Sequence, residues 1–193
     1  MISDSVSVCI PTIPTRSHLL TSRAIPSVLS QKYPVSEICI SLDLKKEGAW
    51  ENRNNAIKMA NSEWIAFLDD DDELLPHHIK TLLTAAHEQQ ADVVYGWFEV
   101  IGGTDPFPTH RGRQWNADYP HIFPITCMVR RSLILDSKAV FMPEKSNIGA
   151  WGIQDFPFWK NIHDAGGKFL GIPDITWNWH HHDANTSGLP NRW

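Results

Sequence analysis

The chain predicts a single α/β domain, a mostly parallel central sheet flanked by helices. Two observations carry that reading. Short apolar runs at 6–10, Glu37–Leu42, 64–68 and 92–100 alternate with helix-spaced segments at 17–31, 52–60 and 76–90, and strand–helix alternation of this kind builds parallel sheets covered on both faces. A length of 193 residues with 42% hydrophobic content also suffices to bury one core without disulfides or structural zinc.

Residues 6–10 (Val6-Ser7-Val8-Cys9-Ile10) form the first expected strand, closed by Pro11-Thr12. The helix expected over 17–31 contains Pro26, which removes a backbone donor and crowds the preceding turn, so it should kink or split there. Glu37–Leu42 is the second strand, ending on Asp43. Residues 52–60 repeat Ala56, Ile57 and Ala60 at helical spacing, 64–68 is a third strand, and 76–90 is a helix opened by Pro76. Residues 92–100 return as a strand, followed by a long polar, Pro- and Gly-rich stretch at 102–121 of the kind used as functional loops. Beyond it come a strand over 124–130 leading into a short helix from Arg131, a helix over 153–165 ended by Gly166-Gly167, a short strand at 169–172 and another at 177–182. Neither an internal repeat nor a low-complexity segment interrupts this pattern.

Composition narrows the function classes. The formal net charge is −5 and the seventeen Lys and Arg residues are scattered, so nothing advertises a nucleic-acid partner. Cys9, Cys39 and Cys127 each lie in an apolar run without C-x-x-C spacing, and read as small buried hydrophobes of a reducing compartment. The amino terminus lacks a signal-peptide pattern and no apolar stretch approaches the roughly 20 residues of a spanning helix. The expectation is a soluble, cytoplasmic protein without a transmembrane segment, compatible with a homo-oligomer.

The chemistry concentrates on Asp69-Asp70-Asp71-Asp72, directly after the apolar run Trp64-Ile65-Ala66-Phe67-Leu68. Carboxylates this close oppose joint ionisation unless a cation is present. In open α/β sheets ligands bind outside the carboxyl ends of the strands, and here those ends carry Pro11-Thr12, Asp43 and the acidic run. A carboxylate at the end of the second strand can accept hydrogen bonds from a base or ribose, and the acidic run can hold a hard cation bridging phosphate oxygens, which together describe a nucleoside-diphosphate site. Neither a Walker loop nor a G-x-G-x-x-G turn follows the first strand.

Val6-Ser7-Val8-Cys9-Ile10-Pro11-Thr12, then Arg53-Asn54, then Ala66-Phe67-Leu68-Asp69-Asp70-Asp71-Asp72-Glu73-Leu74-Leu75-Pro76 resembles the family 2 glycosyltransferases of the GT-A, Rossmann-like fold. Val129-Arg130-Arg131-Ser132 resembles the family's segment before its catalytic region, and Gln154-Asp155-Phe156-Pro157-Phe158-Trp159 resembles its Glu-Asp motif followed by an aromatic helix. The resemblance spans almost the whole chain. It implies a nucleotide-sugar-binding half at 1–100 and an acceptor-binding, catalytic half at 101–193.

The resemblance further implies an inverting transfer from a nucleoside-diphosphate sugar to an acceptor hydroxyl. Asp155 would be the general base. Asp43 would contact the nucleobase, Asp70 the ribose or phosphate, and Arg53 the diphosphate, beside Pro11 and Thr12. Asp69 and Asp71 would form the D-x-D pair with Asp71 the direct metal ligand, joined by His182 or His180 in binding Mn2+ or Mg2+, the mixed oxygen and nitrogen shell favouring manganese. The acceptor (glycan, protein, lipid-linked sugar or small molecule) would be met by 102–121, 146–152 and 185–193, and Trp97, Trp115 and Trp151 are candidates to stack on a sugar.

Plainer readings stand beside these. The acidic run could cap the helix near Pro76, Asp155 two residues before Pro157 has the position of an N-cap, and Asp43 could simply end a strand. Arg53 could lie on a solvated helix face and the three histidines could be filler. The sequence also departs from the family: only 44–52 separates Asp43 from the Arg-Asn pair, Gln154 stands where glutamate is usual, and Ala139-Val140-Phe141 replaces a glycine-rich approach. A sugar-nucleotide-binding module without turnover and a nucleotidyltransferase are therefore the alternatives.

Overall fold

In the computed structural model, residues 4–117, 125–143 and 155–182 are described. Their strands are β1 (Val6–Thr12), β2 (Glu37–Leu42), β3 (Trp64–Phe67), β4 (Glu73–Leu74), β5 (Val93–Ile101), β6 (Cys127–Arg130) and β7 (Phe169–His180), joined in one sheet of order β2-β1-β3-β6-β5-β7-β4. The pairings make β6 and β4 antiparallel to the other five. The helices are α1 (Ser17–Leu19), α2 (Ile25–Leu29), α3 (Ala49–Met59), α4 (His78–Gln89), α5 (Arg131–Ser137) and α6 (Phe156–Asp164).

Alternating side chains send the sheet into two cores. Val6, Val8, Ile10, Trp64, Ala66 and Val94 face one layer with Leu20, Val28, Ile79, Leu82 and Leu83. Cys9, Ile65, Phe67, Val93 and Val129 face the other, with Ala56, Ile134, Phe158 and Ile162. The sheet is thus covered on both faces, as its near-continuous apolar strands require. Among the described residues no helix is long and apolar enough to cross a membrane.

Three local features bear on the site. The helix expected over 17–31 is divided: a π-helical turn at Leu20–Ala24 separates α1 from α2, whose first turn carries Pro26. The proline does interrupt the segment, and the wide turn before it points Arg23 into the acidic run. Pro11 belongs to β1 itself. Its missing donor costs nothing there, because the ladder to β3 ends at Cys9↔Phe67. The two strands expected at 169–172 and 177–182 are one strand, β7, that passes through Pro173. The ladder to β5 is irregular across this stretch, pairing Tyr95 with Gly171 and then Trp97 with Ile175, so the proline falls at a bulge where no ladder donor is needed.

The short connection between β2 and α3 closes on Gly48, whose φ of 100° is left-handed. A Cβ there would be strained and would also meet the Trp50 indole at 3.2 Å. Gly48→Ala should therefore lower unfolding free energy by about 1 kcal/mol or more, read from urea titration.

Candidate functional site

The end of β3 opens into a turn that holds all four aspartates, and each has a different partner. Asp69, at the rim, accepts from Arg53 Nη2 at 2.8 Å. Asp70 is buried and accepts from the Thr12 hydroxyl at 2.7 Å, with Arg16 Nη1 at 3.3 Å. Asp71 meets Arg16 Nη1 at 3.0 Å and His182 Nε2 at 3.1 Å, both through Oδ2. Asp72 turns inward and accepts the backbone N–H of His180 at 2.9 Å, tying the acidic turn to β7. Arg23 Nη1 donates to the Asp71 carbonyl at 2.6 Å and fixes the turn from the helical side.

This crowding has a cost. Burial raises the pKa of Asp70, Asp71 and Asp72, most strongly for Asp72, and their mutual repulsion adds to it. Arg16 and His182 pull Asp71 partly back, and Thr12 and Arg16 do the same for Asp70.

Arg53 sits on α3 and is buried, its guanidinium 5.7 Å from the centre of the Phe141 ring. Burial opposes its charge, but Asp69 and Asp155 outweigh that and hold it firmly protonated. Its Nη1 lies 3.6 Å from Asp155 Oδ1. The neighbouring Asn54 fixes this arrangement by donating to the Phe141 carbonyl and accepting from the Phe141 N–H, both at 2.9 Å. Asn54→Ala strands two buried backbone groups and should cost about 2 kcal/mol or more in a denaturant titration.

Asp155 occupies the N-cap position of α6, yet its carboxylate makes no capping hydrogen bond. The helix behind it is anchored by Phe158 and Trp159, both buried, with Phe158 stacked on Phe141 at 4.0 Å. The carboxylate turns instead toward Arg53. Burial raises its pKa, Arg53 lowers it and Asp69 raises it, for a net upward shift. A carboxylate perturbed by burial and specific charges has the character of a functional group.

The other candidates separate. Asp43 ends β2, but its two oxygens accept the backbone N–H groups of Glu47 at 3.0 Å and Gly48 at 2.8 Å. Burial alone would raise its pKa, and these donors bring it below the ordinary value. Its structural task is closing the shortened loop. Of the two candidate histidines, His182 faces Asp71, whereas the His180 imidazole lies 3.0 Å from Glu73 Oε2. Trp97 and Trp115 are buried, with Trp97 Nε1 donating to Asp105, so both belong to the core. Gln154, Trp151 and the stretches 146–152 and 185–193 lie outside the described residues, as does the end of 102–121. Arg16 and Arg23 had no sequence signal: a lone arginine on a short helical segment looks like a solvated one.

The donor set bears on a metal. Among the described residues no group of three His, Cys, Asp or Glu side chains converges as a ready cage. Asp71 and His182 do converge, and a carboxylate with an imidazole is a set that divalent manganese accepts. Cations of this kind are commonly held by one or two protein groups with substrate phosphates and water completing the shell, so the residues fit.

The model of the family described as glycosyl transferase family 2 matches residues 42–136, which include Asp43, Arg53 and the whole acidic turn. Just under half of the chain is thus similar to glycosyl transferase family 2. A relative from Campylobacter jejuni, GalNAc(5)-diNAcBac-PP-undecaprenol beta-1,3-glucosyltransferase, is 31% identical over 114 residues, covering 46% of this chain and 36% of that protein. The chain thus matches about a third of that relative's length. Among solved structures, S. aureus TarS 1-349 superposes with a TM-score of 0.74 at 17% identity, over 90% of this chain and 60% of that one. The same TarS fragment in complex with UDP-GlcNAc gives 0.72 at 15% identity, over 96% and 62%. These likenesses establish the α/β fold shared with TarS.

Proposed function

We propose that this domain transfers a sugar from a nucleoside-diphosphate sugar to an acceptor hydroxyl with inversion, Asp155 acting as general base. The observation that carries the proposal is Asp155 itself, placed at a helix start that it does not cap and directed to Arg53 and Asp69 on the rim of the acidic turn. The TarS fragment was solved with UDP-GlcNAc and with UDP, which supports a nucleotide-sugar donor. The C. jejuni relative is named for glucosyl transfer onto a GalNAc-containing polyprenyl diphosphate, which favours a glycan hydroxyl as acceptor.

In this reading Arg53 holds diphosphate oxygens with its planar fork. Its Nε lies buried without a hydrogen-bond partner among the described residues. Thr12 holds Asp70 in place at the donor side. Asp71 and His182 would bind a divalent cation, Mn2+ or Mg2+, which when bound offsets charge on the leaving diphosphate. The acceptor oxygen attacks the anomeric carbon as its proton passes to Asp155, the bond to the diphosphate oxygen breaks, and the nucleoside diphosphate leaves. A single displacement with Asp155 as the base accounts for inversion.

The test is hydrolysis and transfer from a panel of UDP-, GDP-, CDP- and TDP-sugars with manganese and glycan acceptors. Turnover of one donor is expected. Undiminished activity in both Asp71→Ala and Asp155→Asn would overturn the mechanism.

A further inference from the structure

Arg16 makes contacts that the family's motifs did not announce. Its Nη1 spans Asp70 Oδ1 at 3.3 Å and Asp71 Oδ2 at 3.0 Å, and that second oxygen is also the one facing His182 Nε2 at 3.1 Å. The guanidinium therefore sits on the oxygen that a cation shared by Asp71 and His182 would use. We infer that Arg16 is a ligand of the donor diphosphate that holds the cation's place on Asp71 until the sugar nucleotide arrives. The inference rests on the donor and metal reading above.

Three observations support an exchange rather than a permanent ion pair. Arg16 closes the one-turn 3-10 helix Pro14–Arg16, which contains no buried residue, so the side chain can swing without disturbing a core. Arg53, by contrast, is buried and packed on Phe141. Arg23 grips the acidic turn by the Asp71 carbonyl rather than its carboxylate, and so stays in place whichever cation holds that carboxylate.

The physical consequence is a coupling between two ligands. A divalent cation and a guanidinium repel each other and cannot share Asp71 Oδ2, so a cation entering alone must break the Arg16 pairs with two nearly buried carboxylates. A nucleoside diphosphate supplies the anion to which the freed guanidinium can turn, in the bidentate geometry that arginine favours. Nucleotide should then strengthen cation binding, and by linkage the reverse holds to the same factor. The arrangement also keeps the acidic turn neutralised while the donor site is empty.

The experiment measures Mn2+ binding from the electron paramagnetic resonance signal of the free ion, with and without UDP, for the wild type, Arg16→Gln and Arg16→Lys. Arg16→Gln should bind Mn2+ alone more tightly, on the order of tenfold, while UDP in the presence of Mn2+ binds more weakly. The enhancement of Mn2+ affinity by UDP should shrink accordingly. Arg16→Lys keeps the charge without the fork, so its Mn2+ affinity should stay near wild type while UDP weakens; thermal unfolding confirms that both variants are folded. Arg16→Gln binding Mn2+ alone no more tightly than wild type would overturn the inference and leave the metal reading intact. Failure of wild type and variant alike to bind Mn2+, with or without UDP, would overturn the metal reading and this inference with it.

Discussion

Asp155→Asn should lower kcat for sugar transfer by about 10²- to 10⁴-fold, the usual worth of a positioned general base, while leaving donor binding close to wild type. The amide preserves the shape of the side chain and the backbone start of α6, where the Trp159 N–H donates to the Asp155 carbonyl, so loss of fold is not the cause to expect. The pH profile offers an independent check. The base must be unprotonated, and its pKa lies above the ordinary aspartate value because burial and Asp69 outweigh Arg53. The rate should therefore fall as pH drops through a value above the ordinary aspartate pKa. Removing the positive charge in Arg53→Gln takes away the influence that lowers this pKa, so the acid limb should move further up in pH. A limb at the ordinary aspartate value, or one unmoved by Arg53→Gln, would assign the base elsewhere.

That experiment tests a residue whose position was legible in the sequence but whose task was not. Asp155 before Pro157 has the pattern of an N-cap and of a catalytic aspartate alike; its carboxylate faces Arg53 and makes no capping hydrogen bond, which leaves the catalytic reading to the experiment. The strands at 6–10 and 64–68 were readable because apolar runs buried on both faces leave a strong local signal, and the partly buried edge strand at 37–42 because its apolar residues still form a short run. Glu73–Leu74 was not, since a two-residue strand has no period to detect, and it exists only because β7 lies beside it. Residues 169–172 and 177–182 read as two strands and proved to be one, with Pro173 at a bulge within it. Arg16 and Arg23 show the same limit at the site: each acts across the fold on a residue about fifty positions away, and nothing local records such a partnership. Asp43 shows the converse. Its type and position suited a base contact, and its two oxygens also accept the Glu47 and Gly48 N–H groups to close the shortened loop, a task no pattern announced.

Asp71→Ala should reduce transfer by about 10³-fold, because a bound cation contributes several kcal/mol to stabilising charge in such a transition state and each 1.36 kcal/mol is tenfold in rate. Chelation of wild type with EDTA should produce a loss of the same order, reversed by Mn2+, whereas the variant should be insensitive to both. The effect on the fold should have the opposite sign. Asp71 is nearly buried, and burial with Asp69 pushes its pKa up, so its charged form opposes folding in the metal-free protein. A carboxylate of this kind favours the fold most below its unfolded pKa, and that contribution is lost as pH rises through the folded value. The metal-free Asp71→Ala variant should therefore gain in melting temperature relative to wild type as pH rises, set against the loss of the Arg16 and His182 contacts. Added Mn2+ should reverse the ranking by stabilising only the wild type. A variant that lost activity while still responding to Mn2+ in its melting temperature would place the cation on other residues. Activity and metal-linked stability failing together would leave Asp71 as the group at which the acidic turn gives up stability for function.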